Sequence, residues 1–373
     1  MIPPLSHWRA AGAAAVFVLA GSSAVALAMH DKPTWTPAPY RPAPQRAPSH
    51  RVLAARQTAA GRAGLRLMGQ AAAACRGTAF SGVQVSRWWG PAGTLVSMTD
   101  IWHEPGGQTV ASPVSAGALP ESSSAADPGP SVSMVISPQQ MTLMQTSYVL
   151  EYAGTGSADG RPADVVAVDR PDGTLAAKYW LDGRSKLPLR RQLFDDHDRV
   201  ISDISLADLR IGPGSLGGMP AAAAQPWPRD LGGAAVGALR AQGWPLPAEL
   251  PGGMVQFAAT ETSASDSAGR TIGMSYSDGL SVISLFVQRG ELPGAMAGWR
   301  HIAIGGHDAY AVDPDDQTIA WSGDGYVFTV LADAPPATVD QAIAALPHGS
   351  PPGFFTRLGR GFRRMASLAN PFR

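Results

Sequence analysis

Between residues 159 and 211 the chain breaks into four short runs of alternating apolar and polar side chains, at 163–169, 174–181, 189–194 and 200–211. The breaks are dense in turn chemistry: Arg170-Pro171-Asp172-Gly173, Asp182-Gly183 and Asp195-Asp196-His197-Asp198. A parallel crossover needs about a dozen residues, and connections this short cannot supply them. These runs therefore predict an antiparallel meander, with one face left for a helix to cover.

The same punctuation extends along the rest of the chain, which holds 42 Gly and 33 Pro among 373 residues. Residues 52–75, rich in Ala, Leu, Arg and Gln, read as a helix interrupted near Gly61 and Gly64. A hairpin follows, 78–89 and 94–103, around Gly90-Pro91-Ala92-Gly93. Residues 104–133 carry almost no large apolar side chain and are expected to be a long disordered loop. Order returns at 141–154. Residues 212–238 read as a linker into a smaller domain with strands at 254–262, 271–277, 281–288, 307–312, 317–321 and 326–331 and a helix at 338–346. The expected fold class is α+β, with a large domain at 52–211 and a second at 239–350.

The ends differ from the body. Residues 10–29 contain no ionisable side chain and, as a helix, would span about 30 Å, the thickness of a bilayer core. Arg9 precedes the run. Residues 1–30 are read as an uncleaved signal anchor that leaves the remainder outside the cytoplasm; a secretory signal cleaved after Ala26-Leu27-Ala28 is the rival. That predicts a single-pass protein of the cell membrane with extracytoplasmic domains, or an exported one. Proline at nearly every second or third position makes 31–51 an extended stalk. The tail 351–373 combines five Arg, no acid and apolar residues recurring at three to four, the pattern of a basic amphipathic helix suited to anionic lipid.

Overall, 29 Lys and Arg cancel 29 Asp and Glu, but the body 63–353 carries a formal −11, which argues against nucleic acid as a partner. The single Cys75 excludes an internal disulfide and a cysteine-based metal site. No GxSxG, Walker A or GxGxxG pattern occurs. Asp195-Asp196-His197-Asp198 has ligand chemistry, but four consecutive hairpin residues cannot all point inward, so it reads as a solvated turn. Asp313-Pro314-Asp315-Asp316 lacks the glycine and distal Glu of a calcium loop, and His103-Glu104 lacks a second His. No catalytic residue, metal or cofactor is expected. Trp88, Trp89, Trp102 and Trp180 are either ordinary packing or the lining of an apolar cavity.

Residues 159–209, with Gly160 to Ala163, Tyr179-Trp180-Leu181-Asp182, Leu187-Pro188-Leu189 and the acidic turn, resemble the RseB/MucB family of sigma-factor regulatory proteins. FSGVQV (80–85), YSDGLSVISLFV (276–287) and APPATVDQAIAAL (334–346) resemble it in the same order. The resemblance implies a large LolA/LolB-like domain, in which a curled antiparallel sheet covers helices, plus a smaller C-terminal α+β domain. It also implies a non-enzymatic envelope-stress regulator that binds the extracytoplasmic part of a membrane-spanning anti-sigma factor and protects it from proteolysis. A lipid or lipoprotein carrier of the same fold is the alternative. On this reading Phe80, Trp89, Trp102 and Trp180 would wall the ligand cavity. Tyr276, Leu280, Val282 and Phe286 would present an exposed strand to the partner. The anchor, the stalk, the loop 104–133 and the tail depart from the family, and the Ala/Pro/Gly/Arg-rich composition suggests a high-GC, actinobacterial genome.

Overall fold

The computed structural model describes residues 49–90, 93–106, 109–113, 134–220, 229–263, 270–292, 298–304, 307–312 and 318–348. The expected anchor, residues 31–48 of the stalk, residues 114–133 of the loop and the basic tail lie outside them. Among the described residues no helix is long and apolar enough to cross a membrane.

Two helices open the described residues, α1 (His50–Arg56) and α2 (Ala59–Gly77). The break between them falls at Gln57 and Thr58, before the glycines expected to cause it. The Thr58 hydroxyl accepts from the Gly61 amide at 2.8 Å and starts a new helix there. Gly61 and Gly64 serve close approach instead. A Cβ would lie 1.9 Å from the Ala55 carbonyl oxygen at Gly61, and 2.7 Å from that of Leu150 at Gly64. Leu67, Met68, Ala71, Ala72 and Cys75 continue the buried stripe at helical spacing.

The first sheet contains β1 (Phe80–Gly90), β2 (Gly93–His103), β3 (Thr109–Pro113), β4 (Val149–Ala158), β5 (Arg161–Asp169), β6 (Leu175–Asp182), β7 (Pro188–Phe194) and β8 (Val200–Ile211). Its order, β3-β2-β1-β8-β7-β6-β5-β4, is antiparallel throughout. The meander is as expected. β3 is a correction: part of the segment expected to be disordered pairs with β2, from Thr99↔Pro113 to His103↔Thr109. Helix α3 (Pro138–Ser147) starts with a capping box between Ser137 and Gln140 and a proline in its first turn. It packs with α2 over β4 to β7, enclosing Met68, Met144, Val166, Val168, Tyr179, Leu181 and Leu193.

The second sheet begins at β9 (Arg229–Asp230), ahead of helix α4 (Gly233–Ala241), so elements of that unit precede Leu239. It continues with β10 (Glu249–Leu250), β11 (Met254–Ser263), β12 (Arg270–Ser277), β13 (Val282–Arg289), β14 (Trp299–Ile304), β15 (His307–Val312), β16 (Thr318–Gly323) and β17 (Tyr326–Asp333), and α5 (Pro336–Ala344) closes it. Its order is β10-β11-β12-β13-β17-β16-β15-β14, with β9 also on β11. Residues of α4 and α5, with Trp244 and Leu246, cover one face around Tyr276, Leu285, Trp321 and Phe328. Two antiparallel sheets, each with its own helices, make the chain α+β.

Candidate functional site

Pairing decides which way each aromatic side chain of the first sheet points, because directly paired residues share a face. Trp180 pairs with Arg190, Arg190 with Ser205, Ser205 with Val85 and Val85 with Met98, one row across five strands. That row lies on the face away from the helices, since the neighbouring Tyr179 is buried among them. Trp89 and Trp102 have the same orientation. Trp89 is 39% exposed, Val96 and Met98 are exposed on the same face, and the Arg190 guanidinium lies 5.0 Å from the Trp180 ring centroid. Phe80 is on the opposite, helix-covered face, 3% exposed and stacked on His103 at 4.8 Å. The four residues expected to wall one cavity are thus divided between two faces. Beneath the helices, the void bounded by Met144, Tyr179 and Leu280 is only about 10 Å³, the room of one water.

The strand expected to offer an exposed edge is interior. β13 is paired along its length with β12 on one side and β17 on the other, so its backbone has no vacancy for a peptide. Tyr276 is fully buried and its hydroxyl donates to the Pro247 carbonyl at 2.8 Å. Val282 is buried, and Phe286, partly buried, lies over Gly273. Leu280 departs furthest from expectation, because it is a core residue of the other domain, packed with the cluster of Met144, Tyr179 and Leu193.

That insertion defines the seam between the domains. The turn from β12 to β13 is stiffened locally: Asp278 Oδ1 accepts from the amides of Leu280 and Ser281 at 2.9 and 2.7 Å. Gly279 has φ +103°, and a Cβ on it would lie 2.3 Å from the Met144 amide nitrogen. Only glycine fits there. The Tyr148 hydroxyl donates to Asp278 Oδ2 at 2.7 Å, and burial raises both groups above their ordinary pKa values. Beside it, Arg191 of β7 forms a buried ion pair with Asp333 at the end of β17. Arg191 Nε, Asp333 Oδ1, Ser202 Oγ and Trp88 Nε1 are buried without hydrogen-bond partners in the same region. Together these contacts make a polar, incompletely satisfied seam.

Where the seam widens, the end of the β1–β2 hairpin faces β14, the end of β17 and the start of α5 across a mainly apolar cleft of about 720 Å³. Trp88, Trp89, Leu95 and Ile201 form one wall; Ile302, Ile304, Ala332 and Val339 form the other. All five residues from Arg300 to Ile304 line it. Among the described residues β14 pairs only with β15, so it is an edge strand. Sequence reading overlooked β14 because WRHIAI has weak alternation and follows a Gly-rich segment.

The polar candidates resolve into structure. Asp195 Oδ1 accepts from the amides of His197 and Arg199 and Oδ2 from the Arg199 side chain; the group Asp195, Asp196 and His197 has ligand atoms within 4.8 Å, but Asp195 caps its turn. His103 is buried between Thr109 Oγ1 at 2.8 Å and the Cys75 carbonyl at 2.6 Å, and burial lowers its pKa. Burial pushes the Cys75 thiol up to about 11, so it is held as a thiol. Residues 313–316 lie outside the described residues.

No curated protein matches the sequence. Residues 121–231, spanning α3 and β4 to β8, match the model of the MucB/RseB N-terminal domain. Among solved structures, the Pseudomonas aeruginosa MucA/MucB complex is 20% identical, covering 78% of this chain and 100% of that one, with a TM-score of 0.42. A crystal structure of MucB is 18% identical over 77% and 98%, TM-score 0.43. A LolA superfamily protein from Nitrosomonas europaea is 6% identical over 74% and 93%, TM-score 0.18. The meander and the helix before it thus lie in a stretch of the chain that is similar to the MucB/RseB N-terminal domain.

Proposed function

We propose that this chain is an extracytoplasmic regulator that binds the extracytoplasmic segment of a membrane-spanning anti-sigma factor, shields it from proteolysis and releases it when envelope stress supplies a ligand, acting by binding and not by catalysis. The observation that carries the reading is the apolar cleft with the β14 edge along its wall. An edge strand offers main-chain hydrogen bonds to an extended peptide, and the neighbouring pockets select alternate side chains. The family supplies the partner class: one solved relative is MucB in complex with the periplasmic part of MucA. The −11 of residues 63–353 favours a basic segment.

The test is capture from native membranes by the full chain carrying a photo-cross-linking residue at the exposed Ala303 of β14. Cross-linking of a single-pass protein with a cytoplasmic sigma-binding domain supports the reading. Recovery of lipid or lipoproteins alone replaces it with the carrier.

A further inference from the structure

The described chain leaves the second domain beside the cleft. Pro336, Val339 and Asp340 of α5 line it, and the nine residues of α5 end at Ala344, about 12 Å along the axis from Pro336. His348 then holds the chain against the domain: its Nε2 lies 2.9 Å from the Ile343 carbonyl, and its ring stacks on His307 at 4.1 Å. Five residues separate it from Phe354, a span of up to about 17 Å. The segment 354–373 therefore starts within reach of the cleft. It carries apolar residues recurring at three to four from Phe354 to Leu368, and five Arg with no acid.

The cleft matches that segment in two respects. Its volume falls in the range that holds a few large side chains, and apolar residues from both domains wall it. Its α5 rim carries the exposed Asp340, on a body with a formal −11. Arg300 stands on the β14 wall, so the α5 side is the one that complements a basic segment.

We propose that residues 354–373 lay their apolar face in this cleft as an internal competitor of the partner segment, so that the tail sets the threshold for capture. The competitor role rests on the cleft being the partner site; the tail contact does not.

The contact is tested in the full chain without a partner. Ala303→Cys with Leu358→Cys places thiols on the cleft wall and the tail. Val96→Cys with Leu358→Cys is the control, since Val96 is 52% exposed on the face away from the helices, and the buried Cys75 stays silent. A short bismaleimide is expected to join the first pair at least about tenfold more than the second. Equal yields, or none while the chain co-sediments with anionic vesicles only when residues 354–373 are present, overturn the contact in favour of a free or lipid-bound tail. Capture is then compared with and without residues 354–373. A rise on deletion supports competition, and no change overturns the competitor role. Loss of the Ala303 cross-link to the partner in the deleted chain counts against the cleft as partner site, independently of the tail.

Discussion

The Arg191–Asp333 pair gives the sharpest test of how the domains are held together. Both side chains are nearly sealed, at 7% and 4% exposure, and 142 residues separate them, so the contact exists only when the domains are docked. Removing one partner leaves a buried charge uncompensated, at about 3–5 kcal/mol. Replacing both with apolar residues of similar size is typically neutral or stabilising by roughly 1–4 kcal/mol. Here the second figure is favoured, because Arg191 Nε and Asp333 Oδ1 are already unpartnered and the replacement removes both penalties. We expect Arg191→Met and Asp333→Leu each to destabilise by several kcal/mol and the double variant to match or exceed the parent. The assay is urea unfolding of all four chains, with amide exchange at Leu280 and Ser281 reporting seam opening. Two outcomes refute the reasoning: single variants within about 1 kcal/mol of the parent, or a double variant whose loss is the sum of the singles.

Asp278→Asn tests the seam by pH. Burial raises the Asp278 carboxyl against the hydrogen bonds it accepts, so the folded chain holds that proton more tightly than the unfolded one. Its contribution is therefore lost as pH rises from the unfolded value near 3.9 through the raised one, a descending limb that Asn lacks; parallel stability profiles would sink this. Asp182 behaves in the opposite sense: burial raises it, but bonds from Arg161 and Ser185 outweigh that and bring it to about 2. Its stabilisation is present above about pH 4 and lost as pH falls through 2, so Asp182→Asn is expected to cost roughly 2 kcal/mol at pH 7 and nothing near pH 2 by urea unfolding. Gly279→Ala is expected to destabilise by about 2–5 kcal/mol, from left-handed strain plus the clash with Met144, whereas Gly290→Ala, also at positive φ but in open space, costs about 1–2 kcal/mol. Equal losses in thermal unfolding would refute the clash.

Local chemistry determined the strands and their turns. Asp172 accepting from Thr174, Asp195 capping its turn and Asp324-Gly325 at positive φ are features of a few adjacent residues, so the strands of 163–211 and, β14 apart, those of 271–331 could be read directly. Facing was less legible, because bulges shift register where no residue type announces it: between Ser81 and Val83, and between Trp180 and Leu181. Alternation along β1 already sets Phe80 opposite Trp89, and the registers to β2, β8 and β7 place Trp102 and Trp180 on the face of Trp89, while the helices decide which face is covered. The position of β13 was illegible for a different reason. An apolar strand reads the same at an edge or in the middle, and only the return of β17, which starts 37 residues beyond the end of β13, occupies its second side. The seam and the cleft are wholly tertiary. Arg191, Leu280, Asp333 and β14 carry no mark of their meeting, since burial, ion pairing and the vacancy of an edge are properties of two domains brought into contact.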